Sequence, residues 1–182
     1  MVIVARVVDA FASRHNAAVP GRSGTFSMRE VRRHALVPHT PAQMYALVSD
    51  VARYPEFVPW CPQTTVHAAG PESMTATVHI ARAGLKLALT TENRMRPEER
   101  IEMTLVKGPL RSYRGLWRFV PICAPPGPAG GPPMVRGCRV ELEVDFEFRN
   151  GAVGLVLGPF FEASWNSLVD AFVQRAGELY RG

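Results

Sequence analysis

The sequence predicts an α+β protein in which a curved antiparallel sheet of six to seven strands wraps around a long C-terminal helix. Between residues 61 and 148, apolar and polar residues alternate with a period of two, which is typical of strands with one buried face. From residue 151 to residue 180 the apolar residues return at helical spacing. Two short helices are expected after the first strand. A helix laid across a bent sheet leaves a concave space, and ligands bind in such spaces.

The first elements are predicted from residue types at fixed positions. Residues 29–37 are rich in valine and predict a strand that ends before Pro38. Thr40 then suits the N-cap, Pro41 the first helical position and Gln43 the third, which together form a capping-box start. This pattern predicts a helix directly after the first strand.

Two further helical features follow from caps and breakers. Asp50 suits the N-cap of a second short helix, which Pro55 would end. In the C-terminal helix, the dipeptide Gly158-Pro159 predicts a kink or an interruption near the start.

The last two strands carry complementary charges. Arg114 and Arg118 lie opposite the apolar positions of one strand, and acidic residues occupy the same places on the next. If the two strands pair, the opposite charges face each other on the solvent side and contribute a few tenths to about 1 kcal/mol each. The acidic residues are Glu141, Glu143, Asp145 and Glu147.

The chain is long enough for one domain with a sizeable core. Residues 1–27 end in a run of Gly, Ser and Pro and predict a disordered or non-native N-terminal extension. Whether translation starts at Met1 or Met28 stays open. Residues 28–182 form the predicted domain, and residues 121–137 predict a flexible loop rich in Pro and Gly.

Charge and hydropathy limit the partners and the location. The net charge of +5 permits contact with an anionic surface but does not argue for nucleic acid, so no DNA partner is expected. No segment approaches the roughly 18 apolar residues of a spanning helix. Arg6 and Asp9 interrupt the first residues, which therefore fail as a secretory signal. A cytoplasmic protein is expected, with peripheral contact at the inner membrane left open.

No pattern of residues points to catalysis. The five histidines show no HExxH or His-x-His spacing, so neither a metal nor a cofactor is expected. The thiols of Cys61, Cys123 and Cys138 have no CxxC spacing and predict unreactive side chains. No acid and base have a reason to lie together. The sequence therefore predicts a non-enzyme.

Three separated blocks carry a resemblance to a known family: YPEFVPWC at 54–61, VKGPLRSYRGLWRFVP at 106–121, and GCRVELEVDFEF followed by LGPFFEASWNSLVDAFVQRAGELY up to residue 180. In this order they resemble the coenzyme Q-binding protein family of the START-like superfamily. Its bacterial members include the RatA ribosome-association toxins, and many are catalogued as cyclase/dehydrase-like. The resemblance covers residues 28–180 and implies a helix-grip fold with a hydrophobic tunnel.

The resemblance implies two functions. In eukaryotic members the tunnel is associated with ubiquinone and respiration. The resemblance therefore implies a non-enzymatic carrier or chaperone that binds ubiquinone or a similar isoprenoid lipid. The quinone would be a bound ligand and not a cofactor. RatA-type members bind the large ribosomal subunit and block subunit joining, which is the alternative. A polyketide cyclase or dehydratase is a weaker third reading, because acid–base residues are lacking.

The expected site follows from the concave face. Side chains on that face are predicted to contact the apolar stripe of the C-terminal helix, and the loop after the two short helices is predicted to form the mouth of the tunnel. For each of these residues, packing within the core remains the alternative. The predicted ligand-binding residues are Tyr54, Phe57, Trp60, Leu87, Met103, Trp117, Phe119, Leu142, Phe161, Trp165, Leu168 and Phe172. For the ribosome or another anionic surface, the candidate contacts are Arg32, Arg33, Lys107 and Arg111, with a solvated basic face as the alternative.

Overall fold

The structure, a computed structural model, describes residues 28–82, 84–124 and 133–180. The predicted α+β, helix-grip architecture is confirmed, with one seven-stranded antiparallel sheet and a helix of 29 residues packed against it. The N-terminal extension predicted for residues 1–27 lies outside the described residues. The elements are β1 (Arg29–Val37), α1 (Pro41–Ser49), a 3₁₀ helix (Val51–Glu56), β2 (Gln63–Ala69), β3 (Ser73–Arg82), β4 (Leu85–Arg96), β5 (Arg100–Lys107), β6 (Leu110–Ala124), β7 (Met134–Phe148) and α2 (Gly151–Leu179).

The sheet has the strand order β1-β7-β6-β5-β4-β3-β2. Strands β2 to β7 therefore form a continuous meander, and β1 joins it beside the last strand. The helix α2 packs mainly on β1 and β7, whereas the 3₁₀ helix packs on β2 at the opposite edge. The inner surface of the sheet thus has one side on which α2 packs directly and another side, over β3 to β5, that α2 contacts much less.

The start of α1 matches the sequence pattern. The Thr40 hydroxyl accepts a hydrogen bond from the Gln43 backbone N–H at 3.2 Å, and the Gln43 side chain accepts one from the Thr40 N–H at 2.8 Å. Pro41 occupies the first turn. Asp50 occupies the predicted N-cap position of the next helix, but its side chain makes no capping hydrogen bond. The following segment is a 3₁₀ helix, in which the backbone carbonyl of Asp50 itself accepts from the Arg53 N–H at 3.1 Å.

The C-terminal helix is continuous through Pro159, so the predicted interruption does not occur. Proline at this position removes one hydrogen bond, the one that would reach the carbonyl of Leu155. Leu155 is 75% exposed, and water can take the place of that donor. Asn150 caps the helix, with its side-chain oxygen accepting from the Ala152 N–H at 2.9 Å.

The hairpin of β6 and β7 confirms the predicted charge rows. Arg118 lies opposite Glu141 in the ladder, and Arg114 lies opposite Asp145. The Arg118 guanidinium is 3.6 Å from the Glu141 carboxylate and also contacts Glu143.

The same hairpin extends further than the sequence predicted. The ladder continues to the pair Ala124↔Met134, so both ends of the predicted loop 121–137 are strand. Backbone pairing continues here without an alternating apolar pattern, which is why the sequence did not reveal it. The loop prediction for residues 125–132 lies outside the described residues.

Candidate functional site

A narrow cavity lies between the inner faces of β3, β4 and β5 and the end of α1, with Trp165 and Leu168 of α2 as part of its wall. Its lining is predominantly apolar. The volume that a water-sized molecule can occupy is about 40 Å³. That space holds a few water molecules and is far smaller than the roughly 300–1,000 Å³ of ordinary ligand pockets.

The structure brings half of the predicted ligand-binding residues together at this cavity. The six that line it come from the 3₁₀ helix and the loop after it, from β5 and β6, and from α2. They are Tyr54, Trp60, Met103, Trp117, Trp165 and Leu168.

The other six predicted residues lie elsewhere. Phe57 lines a separate surface groove beside Arg175, and Leu87 is half-buried at the margin of the core. The ring of Phe119 packs edge-on against Tyr45 at 5.7 Å. The remaining three are buried in the core and do not line the cavity. They are Leu142, Phe161 and Phe172.

All three tryptophans of the chain line the cavity, and the indole N–H groups of Trp60 and Trp165 differ in their hydrogen bonding. Trp60 Nε1 donates to the Ser167 hydroxyl at 3.1 Å. Trp165 Nε1 is buried and has no hydrogen-bond partner among the described residues. A buried donor without a partner costs about 1–3 kcal/mol. A ligand oxygen within reach of Trp165 Nε1 would therefore form a hydrogen bond that removes this cost.

A second polar group in the cavity comes from β4. Thr91 and Asn93 are 7% and 6% exposed, and the Thr91 hydroxyl donates to Asn93 Oδ1 at 2.8 Å. The Asn93 amide nitrogen has no hydrogen-bond partner in the described part of the chain. It is therefore a second donor without a protein acceptor.

Sequence reasoning missed this pair, although a pattern indicates it. Positions 91 and 93 share the parity of Leu87 and Leu89, so they continue the inward face of β4. Polar residues on an otherwise apolar face are uncommon and mark a site that uses them.

Flexible side chains form part of the wall. Met74, Met95 and Met103 all line the cavity, and only Met103 was predicted. Methionine has three rotatable bonds and adapts its shape to a neighbour. Gly115 makes room for this arrangement, because a Cβ atom there would collide with the methyl group of Met103 and would lie 2.8 Å from the Tyr113 hydroxyl. The walls of the cavity can thus move more readily than those of a core made of β-branched residues.

The chemistry of the lining is that of neutral donors. Among its described residues there is no Asp, Glu, His, Lys, Arg or Cys. Burial raises the pKa of both Tyr54 and Tyr113, so both phenols stay protonated at neutral pH. Tyr54 Oη donates to the Val48 carbonyl at 2.5 Å. The cavity can solvate a neutral polar head, but it offers no group that titrates near pH 7 for acid–base catalysis.

The predicted anionic-surface contacts do not gather on one face. Arg32 and Arg33 are neighbours on β1 and therefore point to opposite faces of the sheet. Arg32 pairs with Asp145 at 2.9 Å, and Arg33 lies 3.4 Å from Asp170. Arg111 lies 4.0 Å from Glu147. Lys107 is exposed and has no ion pair in the described segments.

The described residues hold neither a metal-binding cluster nor a membrane-spanning helix. No group of three His, Cys, Asp or Glu side chains lies close enough to hold a metal ion within residues 28–82, 84–124 and 133–180. Over those ranges, no helix has the length and hydropathy needed to cross a bilayer.

Known proteins with similar sequences share nearly the whole fold. Ribosome association toxin RatA of Escherichia coli K12 is 37% identical over 153 residues, which are 84% of this chain and 90% of that protein. RatA of Pseudomonas aeruginosa is 35% identical over 150 residues, 82% of this chain and 96% of that protein. The mitochondrial coenzyme Q-binding protein COQ10 of Drosophila melanogaster is 26% identical over 164 residues, 90% of this chain and 64% of that protein.

Solved structures show the same fold at low identity. The Zhui aromatase/cyclase of Streptomyces sp. R1128 has a TM-score of 0.71 at 17% identity, over 86% of this chain and 98% of that one. A START superfamily protein of Mycobacterium smegmatis has a TM-score of 0.62 at 18% identity, over 82% and 98%. The family model described as polyketide cyclase / dehydrase and lipid transport matches residues 37–173. The resemblance seen in the sequence is thereby confirmed, and the chain belongs to this START-like family of polyketide cyclases, dehydrases and lipid-transport proteins.

Proposed function

We propose that the protein binds ubiquinone or a similar isoprenoid quinone in the cavity, as a carrier or chaperone in the cytoplasm and not as an enzyme. The observation that carries the proposal is an apolar cavity with two N–H donors, Trp165 Nε1 and the Asn93 amide, that have no protein acceptor in the described chain. The name of the Drosophila relative, a coenzyme Q-binding protein, supports the same ligand class.

The polar groups favour a quinone over other lipids. A quinone ring presents carbonyl oxygens, which accept hydrogen bonds, and it carries no charge. A fatty acid carboxylate or a phospholipid head would need a cationic partner, and the described lining contains none. Pairing each buried donor with a carbonyl removes the cost of leaving it unpaired.

The size of the cavity implies that its walls open when the ligand enters. A volume of about 40 Å³ does not accommodate a quinone ring. The methionines at positions 74, 95 and 103 are the side chains best able to change rotamer and widen it. An isoprenoid tail then gains roughly 0.8 kcal/mol for each CH₂ group removed from water, without specific contacts.

A carrier role fits the lack of titratable groups. Both cavity tyrosines are held protonated, and the described lining has no carboxylate or imidazole. The ligand would be held and released unchanged. Sequestration of quinone in this way would support respiration.

The test is to identify the lipid that accompanies the protein. The full chain is produced in a quinone-synthesising bacterium, purified without detergent, extracted with organic solvent and analysed by mass spectrometry. We expect a quinone in the extract, and its amount should fall in Ala76→Leu, which narrows the cavity, but not in the matched control Ala88→Leu, which is exposed on β4. An extract without quinone, together with no uptake of added ubiquinone, would sink the proposal.

A second candidate is binding to the large ribosomal subunit with inhibition of subunit joining. The observation in its favour is the name of the relatives at 37% identity, ribosome association toxin. The test is co-sedimentation of the protein with purified large subunits over a range of salt. A ribosome-binding role predicts binding that weakens with salt and with Lys107→Glu, because phosphate contacts release counterions. No co-sedimentation at low salt would remove this candidate.

A further inference from the structure

The start of α2 exposes an apolar surface, which we call the α2 apolar face. It consists of the outward residues Ala152, Val153, Leu155, Val156 and Pro159. Leu155 is 75% exposed, Val156 71% and Val153 39%. The segment 150–161 contains no charged residue.

The rest of the same helix shows that this exposure is not a requirement of the fold. From Phe161 to Glu178, the exposed positions are polar, namely Asn166, Asp170, Gln174 and Glu178. That pattern is the ordinary one for a helix on a protein surface. At the start of α2, packing uses the other face, with Gly154 and Gly158 buried. Contiguous exposed apolar residues of this kind mark interaction surfaces.

Three cations, Lys107, Arg111 and Arg149, lie at the end of the molecule where α2 begins. The Arg149 side chain donates to the Leu110 carbonyl at 3.0 Å and so holds the turn between β5 and β6 beside the start of α2. This contact brings Lys107 and Arg111 to the same end of the molecule. The Arg111 guanidinium lies 4.0 Å from the Glu147 carboxylate, and Lys107 is exposed.

The first acidic residue of α2 does not offset this charge. Glu162 is engaged by Arg29, whose guanidinium is 2.7 Å from its carboxylate and also donates to the Gly154 carbonyl at 3.3 Å. The end of the molecule that carries the α2 apolar face is therefore cationic.

We propose that the α2 apolar face docks on the surface of a bilayer that contains anionic lipids. Exposed leucine and valine side chains enter the interface, and the cations around them contact lipid phosphates, the combination by which peripheral helices bind anionic membranes. An anionic bilayer fits this surface because it offers both an apolar interior for the exposed side chains and phosphates for the cations at the same end. The surface is observed independently of the cavity, and it is tested without quinone.

The experiment is flotation of the full chain with vesicles of phosphatidylcholine alone or mixed with phosphatidylglycerol. The double variant Leu155→Asp/Val156→Asp should lower the bound fraction about tenfold or more on the mixed vesicles. The fold should tolerate these changes, since both residues are exposed and acidic side chains are favourable near a helix N-terminus. Asn166→Asp, at an exposed position further along the helix, is the matched control and should bind like the unaltered protein.

A second variant tests the charge contribution. Lys107→Glu/Arg149→Glu should remove the preference for phosphatidylglycerol and the weakening by salt. The proposal is overturned if the unaltered protein does not float with anionic vesicles, or if the Leu155/Val156 variant floats equally well. It is also overturned if that variant instead abolishes a dimer detected by size exclusion, because the face would then be a contact between copies.

Discussion

Two sides of one inner sheet surface differ in how they are packed. Under α2, the ring centroids of Phe146, Phe148 and Phe161 lie 5.0–5.8 Å apart, and none of these rings lines the cavity; we call this the filled side. Over β3 to β5, smaller or polar residues such as Ala76 and Asn93 line a cavity, which we call the open side. Because α2 packs mainly on β1 and β7, it covers the filled side and reaches the open side only through side chains such as Trp165 and Leu168. Tight packing and unfilled space thus lie on different strands of one sheet, and our proposal assigns ligand binding to the strands with unfilled space.

The largest effect is expected on stability, from a substitution that removes an aromatic ring from the filled side. Phe146 is fully buried, and Phe146→Ala should lower the free energy of unfolding by about 3–5 kcal/mol, because it leaves a cavity among aromatic rings. Denaturant unfolding measures the loss. At a temperature where the variant stays folded, its quinone affinity should change by less than about threefold, since the side chain does not line the cavity. A loss of affinity as large as the loss of stability would contradict the comparison.

The second-largest effect is expected from a substitution that narrows the cavity on the open side. Ala76 is 1% exposed on β3 and lines the cavity, so Ala76→Leu places three more carbon atoms where the ligand would lie. Quinone affinity should fall about tenfold or more, whereas stability should change by no more than the 1–3 kcal/mol typical of overpacking. Titration and unfolding of the same samples check both. The control Ala88→Leu, on the outer face of β4, should alter neither.

A smaller effect distinguishes hydrogen bonding to the quinone ring from burial of the isoprenoid tail. Trp165→Phe and Asn93→Leu each remove one unpaired donor and should lower the affinity for a quinone about three- to tenfold, with little effect on an aliphatic ligand that lacks carbonyl groups. Trp60→Phe is the matched control, because its N–H already donates to Ser167. Competition binding with both ligands measures the difference. Equal losses for both ligands would show that these side chains act only through shape.

The smallest expected effect is a pH dependence of the free energy of unfolding that arises from two buried thiols. Burial raises the pKa of Cys138 in β7 to about 12 and that of Cys61, ahead of β2, to about 11, from 9.0. Above pH 9 the unfolded chain releases these protons and the folded chain does not. The free energy of unfolding should therefore stay level below about pH 9 and then fall by about 1 kcal/mol per pH unit for each thiol.

Unfolding at pH 8 and pH 10 measures this slope, which should flatten in Cys61→Ala and Cys138→Ala. Cys123→Ser is the control, because Cys123 is exposed and should not affect the slope. A slope that is unchanged after both alanine substitutions would show that other groups cause it.

The fold was largely predictable because local patterns and tertiary structure agree. The capping box at Thr40, the charge rows of β6 and β7 and the α2 stripe each depend on neighbours at fixed sequence spacing. The strand β2 was not separately recognised, because at the sheet edge nearly all of its residues are exposed and no apolar face marks it. The 3₁₀ helix and the long β6–β7 hairpin depend on backbone hydrogen bonds that side-chain patterns do not reveal.

The site was only half predictable, for a physical reason. Alternation shows which side chains point inward, but it does not show which inward side chains α2 covers. Leu142 and Trp117 have the same parity on paired strands and lie opposite each other, yet only Trp117 lines the cavity. Thr91 and Asn93 would have been found by extending the parity of Leu89 along β4.

The central claim is that the cavity on the open side binds a quinone. The fluorescence of the chain's own tryptophans can report that binding. Trp60, Trp117 and Trp165 are its only tryptophans, and all three line the cavity. Titration with a short-chain ubiquinone should quench most of the tryptophan emission in a saturable curve with one quinone per chain, and Ala76→Leu should shift that curve to higher concentration. Weak quenching that rises linearly and matches that of free tryptophan in solution would contradict the account.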